Sequence, residues 1–250
     1  MVKIRFGTDG WRAIIAKEFT VDNVARVAVA TSLWVKQNFD SPAIVLGYDC
    51  RFGGEMFAEV VAKVCVAHGV KVKMSRGFVS TPMVSYGTKH FNASMGVVLT
   101  ASHNPPDYNG YKLKSHHGGP LIEEHVKEVE AIIPTEHKVD LDSMSFDEMV
   151  KAGSIEIIDL ESMYVSAIES NFDLDAIRNS GLNFAYDAMF GSGQNVLKRI
   201  FPEMTFLHCE HNPSFMGQAP EPIHKNLTEF SELIKARGDI ACGLATDGDA

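Results

Sequence analysis

A serine with basic neighbours is the first candidate for chemistry in this sequence. Ser102 follows an apolar run over residues 96–100, His103 comes directly after it, and Lys112 lies ten residues further on, beyond a predicted turn. A hydroxyl acts as a nucleophile when nearby groups move protons to and from it, so this combination favours group transfer through a covalent intermediate. The same residues, with Asn104 and the prolines that follow it, also fit a simple capped turn. Both interpretations stay open at this point.

Two other kinds of site are disfavoured by residue spacing. The nucleophile elbow of serine hydrolases places glycine two residues before and after the serine, where this chain has Thr100 and Asn104. The histidine pair at 116–117 and the His/Cys cluster at 208–211 each lack a full set of ligands at zinc spacing. We therefore predict neither a serine hydrolase nor a zinc centre.

Two carboxylates separated by a glycine form the second candidate site. Asp247 and Asp249 flank Gly248 directly after an apolar run over residues 240–246. Carboxylates that converge in a loop bind hard cations such as Mg2+, which prefers oxygen ligands and often completes its shell with phosphate. A solvated acidic turn that closes a strand explains the same residues equally well.

Two arginines follow turn or strand-end signals and are candidate phosphate contacts. Arg12 comes after the glycine-containing turn 7–10, and Arg51 ends a stretch that begins with the strand-like run 43–48. The guanidinium group matches phosphate geometry, although arginines at loop ends are more often plain surface charges.

Composition limits the class of protein and its partners. The chain has 250 residues, 45% hydrophobic, and a net charge of −9. Its Lys and Arg residues are scattered among acidic residues, so the sequence indicates no basic patch for nucleic acid. The cysteines are far apart and are predicted to be reduced core thiols. Residues 1–12 contain no apolar leader run, and no stretch has the length of a membrane span. We expect a cytoplasmic protein with no membrane partner.

Hydrophobic periodicity predicts alternating helices and strands throughout the chain. Predicted helices cover residues 20–38, 53–69, 81–91, 121–133, 160–171, 194–201 and 227–237. Predicted strands cover residues 43–48, 70–74, 96–100, 111–114, 182–187, 205–209 and 240–246, with a hairpin signal at Asn109-Gly110. This alternation predicts an α/β protein.

The fold prediction is two three-layer α/β/α sandwich domains with mixed, mostly parallel sheets, the second of them incomplete. The first domain is assigned to residues 1–140 and the second to 159–250. Residues 141–158 are polar and weakly patterned, so they are predicted to connect the two domains.

Four motifs give the chain a resemblance to the α-D-phosphohexomutases, and they occur in the family's order. They are Phe6-Gly7-Thr8-Asp9-Gly10-Trp11-Arg12, Gly47-Tyr48-Asp49-Cys50-Arg51, Thr100-Ala101-Ser102-His103-Asn104-Pro105-Pro106-Asp107-Tyr108-Asn109-Gly110-Tyr111-Lys112 and Asp247-Gly248-Asp249-Ala250. The third motif is highly specific, and together the four span the whole chain. The residues at 108–112 and Trp11 resemble phosphoglucomutase and phosphomannomutase more than phosphoglucosamine mutase.

The resemblance implies roles for individual residues of the two candidate sites. Ser102 would carry the transferable phosphate, and Asp247 and Asp249 would hold Mg2+ against it together with the Ser102 oxygen. His103 and Lys112 would assist proton transfer and positioning. The residues that would bind the phosphate of the substrate are Arg12, Thr100 and Asn104.

The resemblance also implies an activity, its substrates and a larger protein. Such an enzyme interconverts hexose 1-phosphate and hexose 6-phosphate through a phosphoserine and a hexose 1,6-bisphosphate. Family members have four domains, so we expect this chain to hold the first domain and a truncated second, to need the C-terminal domains as partners, and to be inactive alone. The alternative is a non-catalytic sugar-phosphate-binding or interaction module with the same fold.

Overall fold

The structure is a computed structural model that describes residues 2–7 and 10–250, and nine strands and nine α-helices are defined in that part of the chain. The strands are β1 (Trp11–Ile14), β2 (Ala43–Tyr48), β3 (Lys71–Ser75), β4 (Met95–Leu99), β5 (Tyr108–Ser115), β6 (Ile155–Ile158), β7 (Asn183–Asp187), β8 (Thr205–Leu207) and β9 (Ile240–Ala245). The helices are α1 (Val21–Asn38), α2 (Gly54–Ala67), α3 (Thr81–His90), α4 (Glu123–Ala131), α5 (Phe146–Lys151), α6 (Leu160–Asn171), α7 (Leu174–Arg178), α8 (Val196–Ile200) and α9 (Thr228–Arg237).

The first sheet has six strands in the order β1-β5-β4-β2-β3-β6. Strands β4, β2, β3 and β6 are mutually parallel, and β5 and β1 add to one side in antiparallel pairing. Helices α1, α2, α4 and α5 pack on one face, and α3 and α6 pack on the other. The predicted three-layer α/β/α sandwich with a mixed, mostly parallel sheet is therefore confirmed.

Local sequence accounts for the central elements of this sandwich. The Thr20 hydroxyl caps α1 by accepting a 3.3 Å hydrogen bond from the backbone N–H of Asn23. Helix α1 is buried on all sides over residues 23–32, and Val24, Ala28 and Val35 are fully buried. Strand β2 lies between the two helical layers, so it is apolar on both faces and its sequence does not alternate between apolar and polar residues.

The second sheet has three parallel strands in the order β8-β7-β9. Strands β7 and β9 end at Asp187 and Ala245, and the loop after β9 carries Asp247 and Asp249. Parallel strands present their carboxyl ends at one edge, which is where α/β folds place ligand sites. That edge faces the first sheet's domain, because the backbone N–H of Thr81 at the start of α3 donates to the carbonyl of Asp249 at 2.9 Å.

Three sequence expectations require correction. Asn109 and Gly110 do not form a turn: they lie inside β5, where they pair with Ala13 and Arg12, and the turn that joins β4 to β5 is the loop 100–107. The predicted connection over residues 141–158 contains α5 and β6, and β6 pairs with β3 at the edge of the first sheet. The exposed thiol of Cys242 on β9 does not belong to the core.

The side chains of the remaining cysteines are buried, at positions 50, 65 and 209. No helix in residues 2–7 and 10–250 combines the length and the apolar character that a membrane crossing requires.

Candidate active site

The loop between β4 and β5 places Ser102 in an unusual backbone conformation. Ser102 has φ 55°, the left-handed region that a non-glycine residue adopts at a cost of about 1–3 kcal/mol. Its backbone N–H donates to the Thr100 hydroxyl at 2.9 Å, and Thr100 in turn donates to the Asp49 carboxylate at 2.6 Å. The serine is 7% exposed, so the fold holds it in a strained and largely buried position.

The serine hydroxyl contacts the second domain directly. Ser102 Oγ donates a 2.6 Å hydrogen bond to Asp247 Oδ2 in the loop after β9. The other Asp247 oxygen accepts a weaker bond of 3.3 Å from the backbone N–H of Asp249. The two candidate sites predicted from sequence are therefore one site, formed where the two domains meet.

The second carboxylate is held by residues of the first domain. Lys112 Nζ on β5 donates to Asp249 Oδ2 at 2.8 Å, and the Thr81 hydroxyl at the start of α3 donates to the same oxygen at 2.5 Å. Lys112 and Asp249 are 5% and 4% exposed, so this is a buried ion pair. The sequence marked Thr81 only as the start of a helix, because its partner lies 168 positions away along the chain.

Glycines let the two loops approach closely. A Cβ on Gly248 would stand 2.5 Å from the Ser102 carbonyl oxygen and 3.0 Å from Pro220 Cγ. A Cβ on Gly191, in the loop after β7, would stand 2.4 Å from the Asp247 carbonyl oxygen. Real Cβ atoms do not approach oxygen so closely, so glycine at both positions is required by packing.

The two carboxylates differ in their electrostatics. Burial raises the pKa of Asp247, and the neighbouring charge of Asp249 raises it further, against the lowering effect of the Ser102 hydroxyl. Burial alone would also raise the pKa of Asp249, but the Lys112 charge and the hydrogen bonds from Lys112 and Thr81 outweigh it, so this pKa is lowered. The neighbours of Asp249 therefore favour its ionised form, whereas the surroundings of Asp247 disfavour the ionised form of that carboxylate.

Arg51 occupies a position that the sequence did not predict. Its Nη1 donates to the carbonyls of Pro105 and Tyr108 at 2.8 and 3.0 Å, and its Nη2 donates to those of Ser102 and Asn104, both at 2.7 Å. The side chain is fully buried. Arg51 therefore has no donor directed at a phosphate in the cleft; it clamps the backbone of the serine loop instead.

Asp49 supports Arg51 and Thr100 from beneath the loop. Asp49 Oδ2 lies 3.2 Å from Arg51 Nε, an ionic contact outside hydrogen-bond geometry, and Oδ1 accepts from the Arg51 backbone N–H at 2.9 Å. Thr100 is fully buried, and its hydroxyl donates to Asp49 and accepts from Ser102. The prediction that Thr100 binds substrate phosphate does not fit this placement, because the hydroxyl faces the interior and is already engaged.

The remaining predicted site residues lie around the mouth of the site. Arg12 Nη1 on β1 donates to Asn104 Oδ1 at 2.8 Å, which brings these two predicted phosphate ligands together. His103 is exposed, and in the part of the chain that the structure describes its side chain has no hydrogen bond or ion pair. The turn predicted at 7–10 includes Thr8 and Asp9, which lie outside the described residues.

The donor atoms of the site are of the kind that binds a divalent cation. Asp247, Asp249 and the Ser102 oxygen supply only oxygen donors, which is the set that Mg2+ prefers. The raised pKa of Asp247 marks a carboxylate that a nearby positive charge would stabilise. No group of three or more His, Cys, Asp and Glu side chains suited to a metal occurs across residues 2–7 and 10–250. These oxygen donors fit part of the coordination shell of a hard cation, and further oxygen ligands would have to complete it.

Comparison with known proteins agrees with this architecture. Residues 3–140 match the family profile described as "Phosphoglucomutase/phosphomannomutase, alpha/beta/alpha domain I". Residues 162–250 match the profile described as "Phosphoglucomutase/phosphomannomutase, alpha/beta/alpha domain II". The chain belongs to the phosphoglucomutase/phosphomannomutase family, within the α-D-phosphohexomutases.

Curated relatives share sequence over nearly the whole chain. A protein of Thermococcus kodakarensis named phosphoglucomutase/phosphomannomutase is 32% identical in an alignment of 250 positions that covers 98% of this chain and 53% of the relative. A phosphoglucosamine/phosphogalactosamine mutase of Sulfurisphaera tokodaii is 31% identical, again over 98% of this chain and 53% of the relative. The chain spans about half the length of the curated relatives it matches.

Solved structures share the fold. A Thermus thermophilus protein assigned as a phosphomannomutase superposes with a TM-score of 0.89 at 34% identity, covering 100% of this chain and 56% of that one. A phosphoglucomutase/phosphomannomutase family protein of Burkholderia thailandensis gives a TM-score of 0.77 at 25% identity, covering 96% of this chain and 51% of that one.

Proposed function

We propose that this chain supplies the phosphoserine and metal-binding part of a phosphohexomutase, which interconverts hexose 1-phosphate and hexose 6-phosphate through hexose 1,6-bisphosphate. The observation that carries the proposal is the 2.6 Å hydrogen bond from Ser102 Oγ to Asp247 Oδ2, beside the buried Lys112–Asp249 pair. A binding module has no need of an oriented serine hydroxyl next to two carboxylates.

Phosphoryl transfer depends on positioning and charge neutralisation more than on new covalent chemistry. Ser102 is fixed by its backbone contacts, and its oxygen is oriented by Asp247. Lys112 offsets the charge of Asp249, which leaves the acidic pair with less repulsion toward a phosphate. Arg12 and Asn104, joined at the mouth of the site, are proposed to bind the phosphate of the sugar.

Mg2+ held by Asp247, Asp249 and the Ser102 oxygen would neutralise charge on the transferred phosphoryl group. His103 is proposed to exchange the proton of the sugar hydroxyl, because it is exposed beside Ser102 and an imidazole can both accept and donate a proton. Lys112 is proposed to act through Asp249, since its ammonium group is engaged there.

The full cycle requires that a sugar be held so that either phosphate can face Ser102. Because the chain spans about half the length of its relatives, we propose that it exchanges phosphate at Ser102 but does not turn over hexose monophosphates at the rate of a full-length relative. The cytoplasmic location and the preference for glucose, mannose or an amino sugar stay predictions.

The test is phosphopeptide mass spectrometry after incubation with glucose 1,6-bisphosphate and Mg2+. Phosphate is expected on Ser102, and Ser102→Ala should take up none while remaining folded. Ser94→Ala, which changes a buried serine outside the site, serves as the matched control and should be labelled like the wild type. Equal labelling of wild type and Ser102→Ala, or no labelling of Ser102, contradicts the proposal.

A further inference from the structure

An aromatic side chain of the second domain covers the arginine that clamps the serine loop. Phe215 lies in the short 3-10 turn Phe215–Gly217, between β8 and α9. The Cζ atom of Arg51 lies 5.0 Å from the centroid of the Phe215 ring. Phe215 is 1% exposed. A guanidinium over an aromatic face in a desolvated setting is attracted by the ring quadrupole.

The turn that presents the ring is itself held in a strained conformation. Phe215 and Met216 have φ values of 48° and 54°, in the left-handed region that non-glycine residues rarely adopt. The turn is closed by backbone hydrogen bonds from Phe215 N to the Asn212 carbonyl and from Gln218 N to the Phe215 carbonyl, both 3.0 Å. Such strain persists only when surrounding contacts fix it, and it clusters at sites of function.

Arg51 connects the ring to the loop of the nucleophile: one side of the guanidinium contacts the ring, and its terminal nitrogens donate to the loop backbone. Its Nη2 donates to the Ser102 carbonyl, and both of its terminal nitrogens are shared among four carbonyls of the loop. The buried Phe215 ring fills the space beside the guanidinium. Removing the ring would leave the charge of Arg51 in place. It would also open space beside the guanidinium, which could then rotate away from those carbonyls.

We infer that Phe215 is a positioning residue: through Arg51 it couples the second domain to the backbone of the Ser102 loop. The inference concerns loop geometry, and its consequence for phosphate transfer rests on the proposed function. Ser102 already adopts a strained φ of 55°. If Arg51 held the loop backbone less firmly, the loop could relax, and Ser102 Oγ would lose its alignment with Asp247.

The experiment compares three variants of the full chain. Phe215→Leu removes the ring, Phe215→Tyr keeps it, and Phe230→Leu removes another buried ring of the second domain that packs beside Gly243 in β9. Hydrogen exchange of the amides in the loop 100–107 is measured first, since it does not depend on any activity. The rate of Ser102 phosphorylation by glucose 1,6-bisphosphate and the bisphosphate affinity are measured second.

We expect amides of the loop 100–107 to exchange about tenfold faster in Phe215→Leu than in Phe230→Leu, with Phe215→Tyr close to wild type. The phosphorylation rate should fall in Phe215→Leu with little change in bisphosphate affinity, which a general loss of stability would not produce. Equal loop exchange in Phe215→Leu and Phe230→Leu overturns the inference. A changed loop exchange without phosphorylation in any form, wild type included, leaves the coupling standing and overturns the proposed function instead.

Discussion

The hydroxyl of Ser102 and the carboxylate of Asp247 are joined by a 2.6 Å hydrogen bond across 145 positions of the sequence. Ser102 comes from the first sheet's β4–β5 loop, and Asp247 comes from the loop after the second sheet's last described strand. Neither loop completes the site by itself. The position of one domain relative to the other therefore sets the geometry at the serine oxygen.

Gly248→Ala should separate the two loops. The added Cβ would meet the Ser102 carbonyl oxygen at 2.5 Å, and backbone cannot yield as a flexible side chain does. We expect a loss of about 1–3 kcal/mol in the free energy of unfolding and a lower rate of Ser102 phosphorylation. Gly77→Ala is the control, because nothing lies within 4 Å of its added Cβ, and its effect should stay within about 0.5 kcal/mol. The free energy of unfolding is measured by chemical denaturation, and similar losses in both variants would show the prediction to be wrong.

Lys112→Met should destabilise the chain because it leaves Asp249 buried without its cation. Breaking one side of a buried pair typically costs about 3–5 kcal/mol. The double variant Lys112→Met/Asp249→Asn removes the charge that was left unpaired, so it should recover part of this loss. Urea denaturation of the two single variants and the double variant measures the coupling. Losses that simply add in the double variant would show that the 2.8 Å contact does not stabilise the fold.

Asp49 should make stability depend on pH in a stated direction. Burial raises its pKa to about 6 from 3.8, against the lowering effects of Arg51 and Thr100. The folded chain then binds this proton more tightly than the unfolded chain, so the stabilisation is fully present below pH 3.8 and is lost as the pH rises through about 6.

The measurement compares wild type with Asp49→Asn, which cannot titrate at this position. Between about pH 4 and pH 7 the wild type should lose up to roughly 3 kcal/mol of unfolding free energy relative to the variant, at about 1.4 kcal/mol for each pH unit between the two pKa values. Parallel stability curves for the two proteins would contradict the prediction.

Mg2+ should bind more tightly when Ser102 is phosphorylated. The unmodified site offers Asp247, Asp249 and a neutral hydroxyl oxygen, and a phosphate adds anionic oxygens of the kind Mg2+ prefers. We expect an affinity at least about tenfold higher for the phosphorylated form by calorimetry, and little binding by Asp247→Asn in either form. Equal affinity of the two wild-type forms would place the phosphate outside the cation's coordination shell.

The amino-acid sequence by itself determined the elements and the candidate chemistry. Strand β2 and helix α1 correspond closely to the continuous apolar run at 43–48 and the periodic apolar positions of residues 20–38. These patterns follow from the geometry of a single strand or helix and from the side of it that is buried. The candidate serine and the acidic pair were identified because α/β proteins place polar groups at the carboxyl ends of strands.

Only the tertiary structure decided what several polar residues do. Arg51 and Arg12 follow similar local signals, yet Arg51 is buried against four carbonyls and Arg12 stays at the mouth beside Asn104. Asn109 and Gly110 have the composition of a turn but lie in β5, because pairing with β1 outweighs the local preference. The direction of a polar side chain depends on which distant groups remain to be satisfied once the layers pack, and partners more than fifty positions apart leave no local pattern.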